Sequence, residues 1–341
     1  MKLIVQIPCL NEEQSLPRVL AELPREVEGF DLVEWLVVDD GSSDRTLEVA
    51  REGGVDHIVR LTNNKGLAAA FQAGVDASLK LGADVIVNTD ADNQYRSADI
   101  PLLVEPIVAG RADMVVGDRQ VKTVEHFSPT KKLLQRLGSF IVRRASGTTV
   151  PDTTSGFRAY NREAALQVMV VNNYTYTLES LIQAGKGLVA IEHVPISTNP
   201  KLRESRLASS TGRYVRRNAL SIFRAYVRHE PLRVFLVASA LFAVAAVAAW
   251  TPFLADFILN GDRSGHIQSL ILGAVLALAA VQMFALGIIG DALAGQRVVA
   301  QRIFERVRRL ELEAGVAPSH YEPGQTPESL TVETIEPSLR R

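Results

Sequence analysis

The sequence predicts an α/β domain built on a mostly parallel sheet, followed by two helices long enough to cross a membrane. Within the first two hundred residues, short apolar runs alternate with stretches of helical periodicity. Near-continuous Val, Ile and Leu runs separated by helices are typical of a parallel sheet covered on both faces. Two longer apolar stretches follow, each close to or above the roughly 20 residues that span a bilayer. The 341 residues suffice for a domain with such an appendage.

The predicted elements follow one another as strand and helix. Strands are predicted at residues 3–7, 35–38, 57–61, 85–87 and 114–116, with a late strand within 188–196. Helices are predicted between them at residues 12–23, 44–51, 66–79 and 100–108. Sheets of this kind bind their ligands beyond the carboxyl ends of the strands.

Polar clusters follow each of the first four predicted strands. They occupy residues 8–13, 39–46, 63–66 and 90–94. One such cluster could be a helix cap, as Asp44 illustrates. Four in succession at the same edge of a sheet predict a binding site.

The residue types in these clusters suit a nucleotide that carries a diphosphate. Asp39 or Asp40 can accept hydrogen bonds from a nucleobase or ribose, and Lys65 can meet diphosphate charge. Gly66 allows close backbone approach at a helix N-terminus, which favours anions. Asp90 and Asp92 follow a buried strand and suit a hard divalent cation, which would neutralise a diphosphate leaving group.

The C-terminal part is predicted to anchor the chain in a membrane. The spans are residues 231–259 and 266–294, joined by a polar linker. Arginines flank the outer ends of the pair, so the positive-inside rule predicts that both termini and the α/β domain are cytoplasmic. These arginines are Arg224, Arg228 and Arg233 before the pair, and Arg297, Arg302 and Arg306 after it.

Three flanking regions complete the predicted organisation: amphipathic basic helices at the membrane surface (201–230), a cytoplasmic basic helix (295–314) and a disordered tail (315–341). The α/β domain is predicted to end near residue 200. A formal net charge of −1 gives no indication of nucleic acid binding. The single cysteine, Cys9, excludes an internal disulfide framework and fits a reducing compartment. The N-terminal apolar run is too short for a secretory signal.

An ordered set of motifs resembles the family 2 glycosyltransferases with a GT-A fold. Within that family it is most similar to the polyprenyl-phosphate sugar transferases, the group of dolichol-phosphate mannose synthase. The resemblance covers roughly residues 2–233 and is specific as a set. The motifs are Pro8 to Glu13, Val38-Asp39-Asp40-Gly41-Ser42, Asn64-Lys65-Gly66, Asp90-Ala91-Asp92, Gly117-Asp118-Arg119 and Thr154-Ser155-Gly156-Phe157-Arg158-Ala159-Tyr160.

The resemblance implies roles for individual residues. The nucleotide-sugar pocket would be lined by Pro8, Leu10, Asn11, Glu12, Asp39, Asp40, Lys65, Asp90 and Ala91. The metal, Mg²⁺ or Mn²⁺, would be held by Asp90, Asp92 and Gln94. Catalysis would involve Asp152, Asp92 and Arg119. The acceptor phosphate would meet Arg119, Lys131, Lys132, Arg136, Ser139, Arg203 and Arg206.

The reaction implied is a single in-line displacement that inverts the anomeric carbon. The nucleophile would be a phosphate oxygen of polyprenyl phosphate, which is largely dianionic at neutral pH because its second pKa is about 6. Asp152 would then orient the acceptor or the metal more than remove a proton. We expect Asp152→Asn to lower turnover less than Asp92→Asn.

Four other functions can be compared with this one. A hydroxyl lipid such as diacylglycerol would need a true base, and would make Asp152 indispensable. A non-catalytic scaffold is disfavoured by the complete acidic set, and a dehydrogenase by the lack of Gly-x-Gly-x-x-Gly after strand one. A processive polymerase is disfavoured because no Gln-x-x-Arg-Trp motif follows. The sugar donor stays open between GDP-mannose and UDP-glucose types, as does assembly of copies in the membrane.

Overall fold

A computed structural model describes residues 1–120, 143, 146–170, 176–187, 189–199, 224, 227, 230–260 and 266–324. The chain divides into two compact units. The first contains the sheet and its helices together with residues from 309 onward, and the second contains the two long apolar helices up to residue 308.

The described part of the first unit is built on one eight-stranded sheet. The spatial order of its strands is β7-β5-β6-β4-β1-β2-β3-β8. β1 lies near the centre, parallel to both β2 and β4. In chain order the strands are Lys2–Cys9 (β1), Leu32–Asp39 (β2), His57–Arg60 (β3), Val85–Asn88 (β4), Met114–Asp118 (β5), Arg158–Asn161 (β6), Ile191–Pro195 (β7) and Tyr321–Pro323 (β8).

Helices connect the parallel strands and cover the sheet. Strands β1 and β4 are buried along nearly their whole length, which explains why their sequences are largely apolar instead of alternating. In chain order the helices are Leu16–Glu22 (α1), Thr46–Glu52 (α2), Leu67–Lys80 (α3), Ile100–Val108 (α4), Arg162–Gln167 (α5) and Tyr176–Lys186 (α6). The α/β fold predicted from the sequence is confirmed.

Two strands depart from the simple parallel pattern. β6 runs antiparallel between β4 and β5. It was not predicted, because its four residues include Arg158 and Asn161 and lack an apolar run. Its position matters for the site, since it brings the chain before Arg158 beside the end of β4.

The second strand is β8, and it corrects the expectation that a disordered tail begins at residue 315. Residues 321–323 pair antiparallel with β3. The backbone N–H of Arg60 donates to the carbonyl of His320 (2.9 Å), and that of Gly324 donates to Asp56 (3.0 Å). The expectation is therefore wrong for the start of this segment; residues 325–341 lie outside the described residues.

The second unit contains two helices that are long and apolar enough to cross a membrane: Pro231–Asn260 (α7) and Ile267–Glu313 (α8). Small residues bring the helices close together, as is usual in membranes. Gly273 packs against Trp250, whose indole N–H donates to the carbonyl of Leu270 at 3.2 Å. The hydroxyl of Ser239 donates to the carbonyl of Ala280 at 2.8 Å. The second predicted span and the basic helix after it form one continuous helix, α8.

Candidate active site

The loops that follow β1 and β2 are joined by hydrogen bonds at the carboxyl edge of the sheet. The amide N–H of Asn11 donates to Ser42 Oγ (2.9 Å), and the amide N–H of Ser43 donates to Asn11 Oδ1 (2.8 Å). The Glu12 amide donates to Thr46 Oγ1 at 2.8 Å. Asn11 adopts a positive φ of 54°, a conformation that asparagine tolerates better than most residues. The polar residues of both loops thus serve partly to build the site.

Asp39 has the environment expected of a ligand-binding carboxylate. Its side chain is completely buried at the end of β2. One oxygen accepts the backbone N–H of Ser42 at 3.0 Å, whereas Oδ2 has no hydrogen-bond partner among the described residues. An unsatisfied buried carboxylate oxygen is costly unless a bound group supplies the donor. This observation favours Asp39 as the residue that contacts a nucleobase or ribose.

Asp40 has a different role from its neighbour. Its two oxygens accept the backbone N–H groups of Lys65 (2.7 Å) and Gly66 (2.9 Å) at the start of α3. Burial raises the pKa of Asp40, and the two amide donors oppose that rise. Gly66 has a φ of +95°, which requires glycine or strain. Asp40 therefore shapes the loop that presents the exposed Lys65, and each of its oxygens already accepts one backbone N–H.

Asp90 and Asp92 lie together just beyond β4. Asp92 accepts both the backbone N–H of Gln94 (3.1 Å) and its side-chain Nε2 (2.7 Å). Burial and the neighbouring charge of Asp92 raise the pKa of Asp90 to about 7, against the opposing charge of Arg119. Two carboxylates that disfavour each other's ionisation in this way would be relieved by a cation between them.

The donor set fits a metal that shares its ligands with a substrate. In the parts of the chain that the structure describes, no three His, Cys, Asp or Glu side chains are grouped so as to hold a metal. Mg²⁺ and Mn²⁺ sites commonly combine one or two carboxylates with water and substrate phosphates. Asp90 and Asp92, with the side-chain carbonyl of Gln94, would meet that requirement.

Arg119 and Asp152 form a buried ion pair. Arg119 Nε donates to Asp152 Oδ2 (2.6 Å) and Nη2 to Oδ1 (3.0 Å), while Nη2 also reaches Thr154 Oγ1 (2.8 Å). Burial alone would raise the pKa of Asp152, but the hydrogen bonds and charge of Arg119 lower it below its ordinary value. A carboxylate held in this way is a poor proton acceptor. Both of its oxygens hold the Arg119 guanidinium in place.

Arg158 is a site residue to which the sequence reasoning gave no role. Its guanidinium is completely buried and donates to the carbonyls of Ser155 (2.8 Å) and Thr153 (3.0 Å), and to Ser180 Oγ (2.9 Å). These bonds fold residues 153–156 around the arginine and join them to α6. The position of an arginine between Phe157 and Ala159, two apolar neighbours, was the signal that could have identified it.

A second unpredicted group lies beneath the acidic residues. Asn88, the last residue of β4, donates to the carbonyl of Gly156 (2.8 Å) and to the hydroxyl of Tyr176 (3.0 Å), and accepts from Gln6 Nε2 (2.9 Å). The Tyr176 ring stacks on Phe71 with centroids 4.0 Å apart. Hydrophobic periodicity does not reveal such contacts, because their members are far apart in sequence.

The remaining predicted residues divide into three groups. Pro8 and Ala91 are buried, and Ala91 belongs to the hydrophobic core, so it can meet a ligand only through its backbone. Leu10 and Glu12 lie in the loop after β1. The six residues predicted for the acceptor phosphate besides Arg119 lie outside the described residues: Lys131, Lys132, Arg136, Ser139, Arg203 and Arg206.

Comparison with known proteins identifies the class to which this fold and site belong. Residues 4–168 match the model of glycosyl transferase family 2, and residues 230–295 match the GtrB C-terminal hairpin. The chain is 30% identical over 219 residues to polyprenol monophosphomannose synthase of Mycolicibacterium smegmatis, covering 61% of this chain and 81% of that protein. It is 34% identical over 214 residues to dolichyl-phosphate hexose transferase of Haloferax volcanii, covering 62% and 88%.

The chain therefore belongs to glycosyltransferase family 2 and carries a C-terminal hairpin of the GtrB type. Its fold is also similar to that of glucosyl-3-phosphoglycerate synthase from Mycobacterium tuberculosis, with a TM-score of 0.51 and 24% identity over 65% of this chain and 79% of that one. The resemblance stated from the motifs is thereby confirmed, and the protein is a glycosyltransferase.

Proposed function

We propose that this glycosyltransferase moves one hexose from a nucleotide sugar to polyprenyl phosphate. The relatives named above act, by their names, on polyprenol or dolichyl phosphate. The two apolar helices would keep the enzyme at the surface where such a lipid presents its phosphate. The positive-inside distribution of arginines supports a cytoplasmic catalytic domain.

The observation that carries the choice of acceptor is the pairing of Asp152 with Arg119. A lipid phosphate is already ionised near neutral pH and needs no base. A hydroxyl lipid would need one. The carboxylate predicted to be that base is bonded through both oxygens to Arg119, and its pKa is lowered. The arrangement therefore favours a phosphate acceptor over diacylglycerol.

In the proposed reaction, Asp39 binds the nucleoside and Lys65 meets the diphosphate. Asp90 and Asp92 would hold Mg²⁺ or Mn²⁺, which supplies positive charge to the diphosphate as it leaves. Arg119, directed by Asp152, would contact the phosphates on either side of the transferring sugar. Attack from the face opposite the leaving group would invert the anomeric carbon.

A transfer assay tests the proposal. Purified full-length protein in detergent would be mixed with polyprenyl phosphate, Mg²⁺ or Mn²⁺ and labelled nucleotide sugars. We expect label from one donor to enter the organic phase, and to be lost with EDTA or with Asp92→Asn. No transfer from any donor, combined with intact nucleotide binding, would refute the acceptor; label on diacylglycerol would establish the alternative.

A further inference from the structure

Tyr95 joins the two loops on which the predicted metal ligands and Asp152 lie. It follows Gln94 directly, and its ring is buried against Phe157, with centroids 5.2 Å apart and an interplanar angle of 17°. Its hydroxyl accepts the backbone N–H of Gly156 at 2.9 Å. The loop after β4 and the loop before β6 are thus connected through a single side chain.

Gly156 is the point where this connection reaches the acidic site. A Cβ built on Gly156 would lie 3.2 Å from both carboxylate oxygens of Asp90. The backbone of Gly156 therefore packs closely against the Asp90 carboxylate. On its other side, the carbonyl of Gly156 accepts from Asn88 Nδ2 at 2.8 Å. The residue is bonded through both its N–H and its C=O, by Tyr95 and Asn88.

We propose that Tyr95 is a positioning residue whose hydroxyl holds Gly156 against Asp90 and so fixes the direction of the metal-binding carboxylate. This inference rests on the metal site of the proposed function. It assigns to Tyr95 an indirect role, because the phenol acts through a backbone amide and not on the metal. Residues that hydrogen-bond directly to a metal ligand commonly change metal affinity or activity by 10–100-fold when they are altered. Tyr95 acts one contact further away, so we expect an effect at the lower end of that range.

The chain provides a matched pair of variants for the test. Tyr95→Phe removes the hydroxyl and keeps the ring that stacks on Phe157. Tyr160→Phe removes an equally buried hydroxyl from β6, 1% exposed, which has no hydrogen-bond partner among the described residues. Both variants lose one oxygen from the same region, but only the first loses a bond to Gly156.

The first measurement is hydrogen exchange on the metal-free full-length protein. We expect the peptide that contains Gly156 to exchange faster in Tyr95→Phe than in the wild type or in Tyr160→Phe. The second measurement is Mn²⁺ binding in the presence of UDP or GDP. Binding is detected as a decrease in the electron paramagnetic resonance signal of free Mn²⁺. We expect Tyr95→Phe to weaken binding about 10-fold, and Tyr160→Phe to leave it unchanged.

Kinetics separate positioning from general destabilisation. We expect Tyr95→Phe to raise the cation concentration needed for half-maximal transfer, and saturating cation to restore most of kcat. A merely structural role would reduce the amount of active enzyme and leave the cation dependence unchanged. Wild-type cation binding and exchange in Tyr95→Phe would overturn the proposal.

Gly156→Ala tests the same contact from the opposite side and keeps the proposal falsifiable if Tyr95→Phe does not fold. The added methyl would lie 2.7 Å from the Tyr176 hydroxyl and 3.2 Å from Asp90. We expect weaker Mn²⁺ binding, and unchanged binding would count against the inference. If the wild type transfers no sugar, the proposed function fails. A difference in hydrogen exchange between the two tyrosine variants would still support the role of the Tyr95 hydroxyl in holding Gly156.

Discussion

At the scale of single residues, two adjacent aspartates with the same chemistry do different work. Asp39 has a buried oxygen without a partner among the described residues, whereas Asp40 gives both oxygens to the backbone at the start of α3. The sequence alone does not distinguish the roles of Asp39 and Asp40, because the conformation of the loop decides which carboxylate faces the ligand.

The same substitution is therefore expected to affect nucleotide binding at Asp39 and stability at Asp40. Asp39→Asn should weaken nucleotide binding about 10-fold, since one charge-assisted hydrogen bond contributes roughly 1.5–3 kcal/mol, and should preserve the fold. Asp40→Asn replaces one acceptor oxygen with an NH2 donor that faces a backbone N–H, and should lower the free energy of unfolding by about 1–3 kcal/mol. Calorimetry with UDP and GDP and thermal melts would measure both. Equal binding losses with equal melts would contradict the assignment.

The ion pair of Arg119 and Asp152 gives a prediction with a pH dependence. Asp152→Asn should lower turnover less than Asp92→Asn and should leave the shape of the pH–rate profile unchanged, because Asp152 accepts no proton in the proposed reaction. Loss of an ionisation from that profile would show that Asp152 is a base after all.

Stability should respond to pH in a definite direction. The folded-state pKa of Asp152 lies below its unfolded value. Its ionised form therefore stabilises the fold at neutral pH, and that contribution is lost as the pH falls through the folded-state pKa. The difference in stability between wild type and Asp152→Asn should be full at pH 7 and shrink below the ordinary carboxyl pKa. Melts across an acid pH series would check this.

Much of the site was predictable because its acidic and basic residues follow apolar strands whose ends must meet. The acidic pair Asp90 and Asp92 is brought together beyond β4, as expected. The supporting contacts were not predictable. The contacts of three residues involve backbone groups or aromatic stacking: Tyr95, Arg158 and Tyr176. Neither the spacing nor the charge of residues in the sequence predicts such contacts.

At the scale of elements, the segment after α8 is part of the catalytic fold. Arg51 pairs with Glu322 (2.7 Å), and His57 Nδ1 lies 3.0 Å from the hydroxyl of Tyr321. Just before it, Glu311 reaches Lys80 of α3 at 3.1 Å. An unpaired β3 would expose backbone groups that invite association with another chain, and β8 covers them.

Two truncations separate the strand from the tail beyond it. Removal of residues 314–341 should expose β3, increase hydrogen exchange at residues 57–60 and lower the free energy of unfolding by about 2 kcal/mol, from the few backbone hydrogen bonds lost. Removal of residues 325–341 alone should leave exchange at β3 unchanged. Equal protection of β3 in both truncated proteins would refute this role for β8.

The sequence did not predict β8 because the local composition is misleading. A three-residue strand that ends at Pro323 and follows Pro318 closely has no detectable period, and its polar surroundings are typical of a disordered tail. It forms because the edge of β3 offers unpaired backbone groups. This contact is between segments distant in sequence, so the local sequence does not reveal it. By contrast, the strands and helices within residues 2–118 were predicted to within a few residues, since each strand there contains a buried apolar run.

At the scale of the whole molecule, the proposed orientation predicts which sites are reached from outside the cell. The only native cysteine, Cys9, is buried with 2% exposure and should label poorly. Ser264→Cys, in the linker between the apolar helices, should react with a membrane-impermeant maleimide in intact cells. Ser319→Cys should react only after the membrane is opened. The reverse pattern would invert the orientation.

The position of β8 in the chain also orders the biosynthesis of the enzyme. The strand that completes the sheet is encoded after both apolar helices, so the ribosome must finish the hairpin before it can supply β8. At about 5–20 residues per second, β3 waits roughly 10–50 s for its outer neighbour. During that interval the nascent domain carries an open edge, and a ribosome stalled in the hairpin would leave behind a polypeptide prone to aggregate.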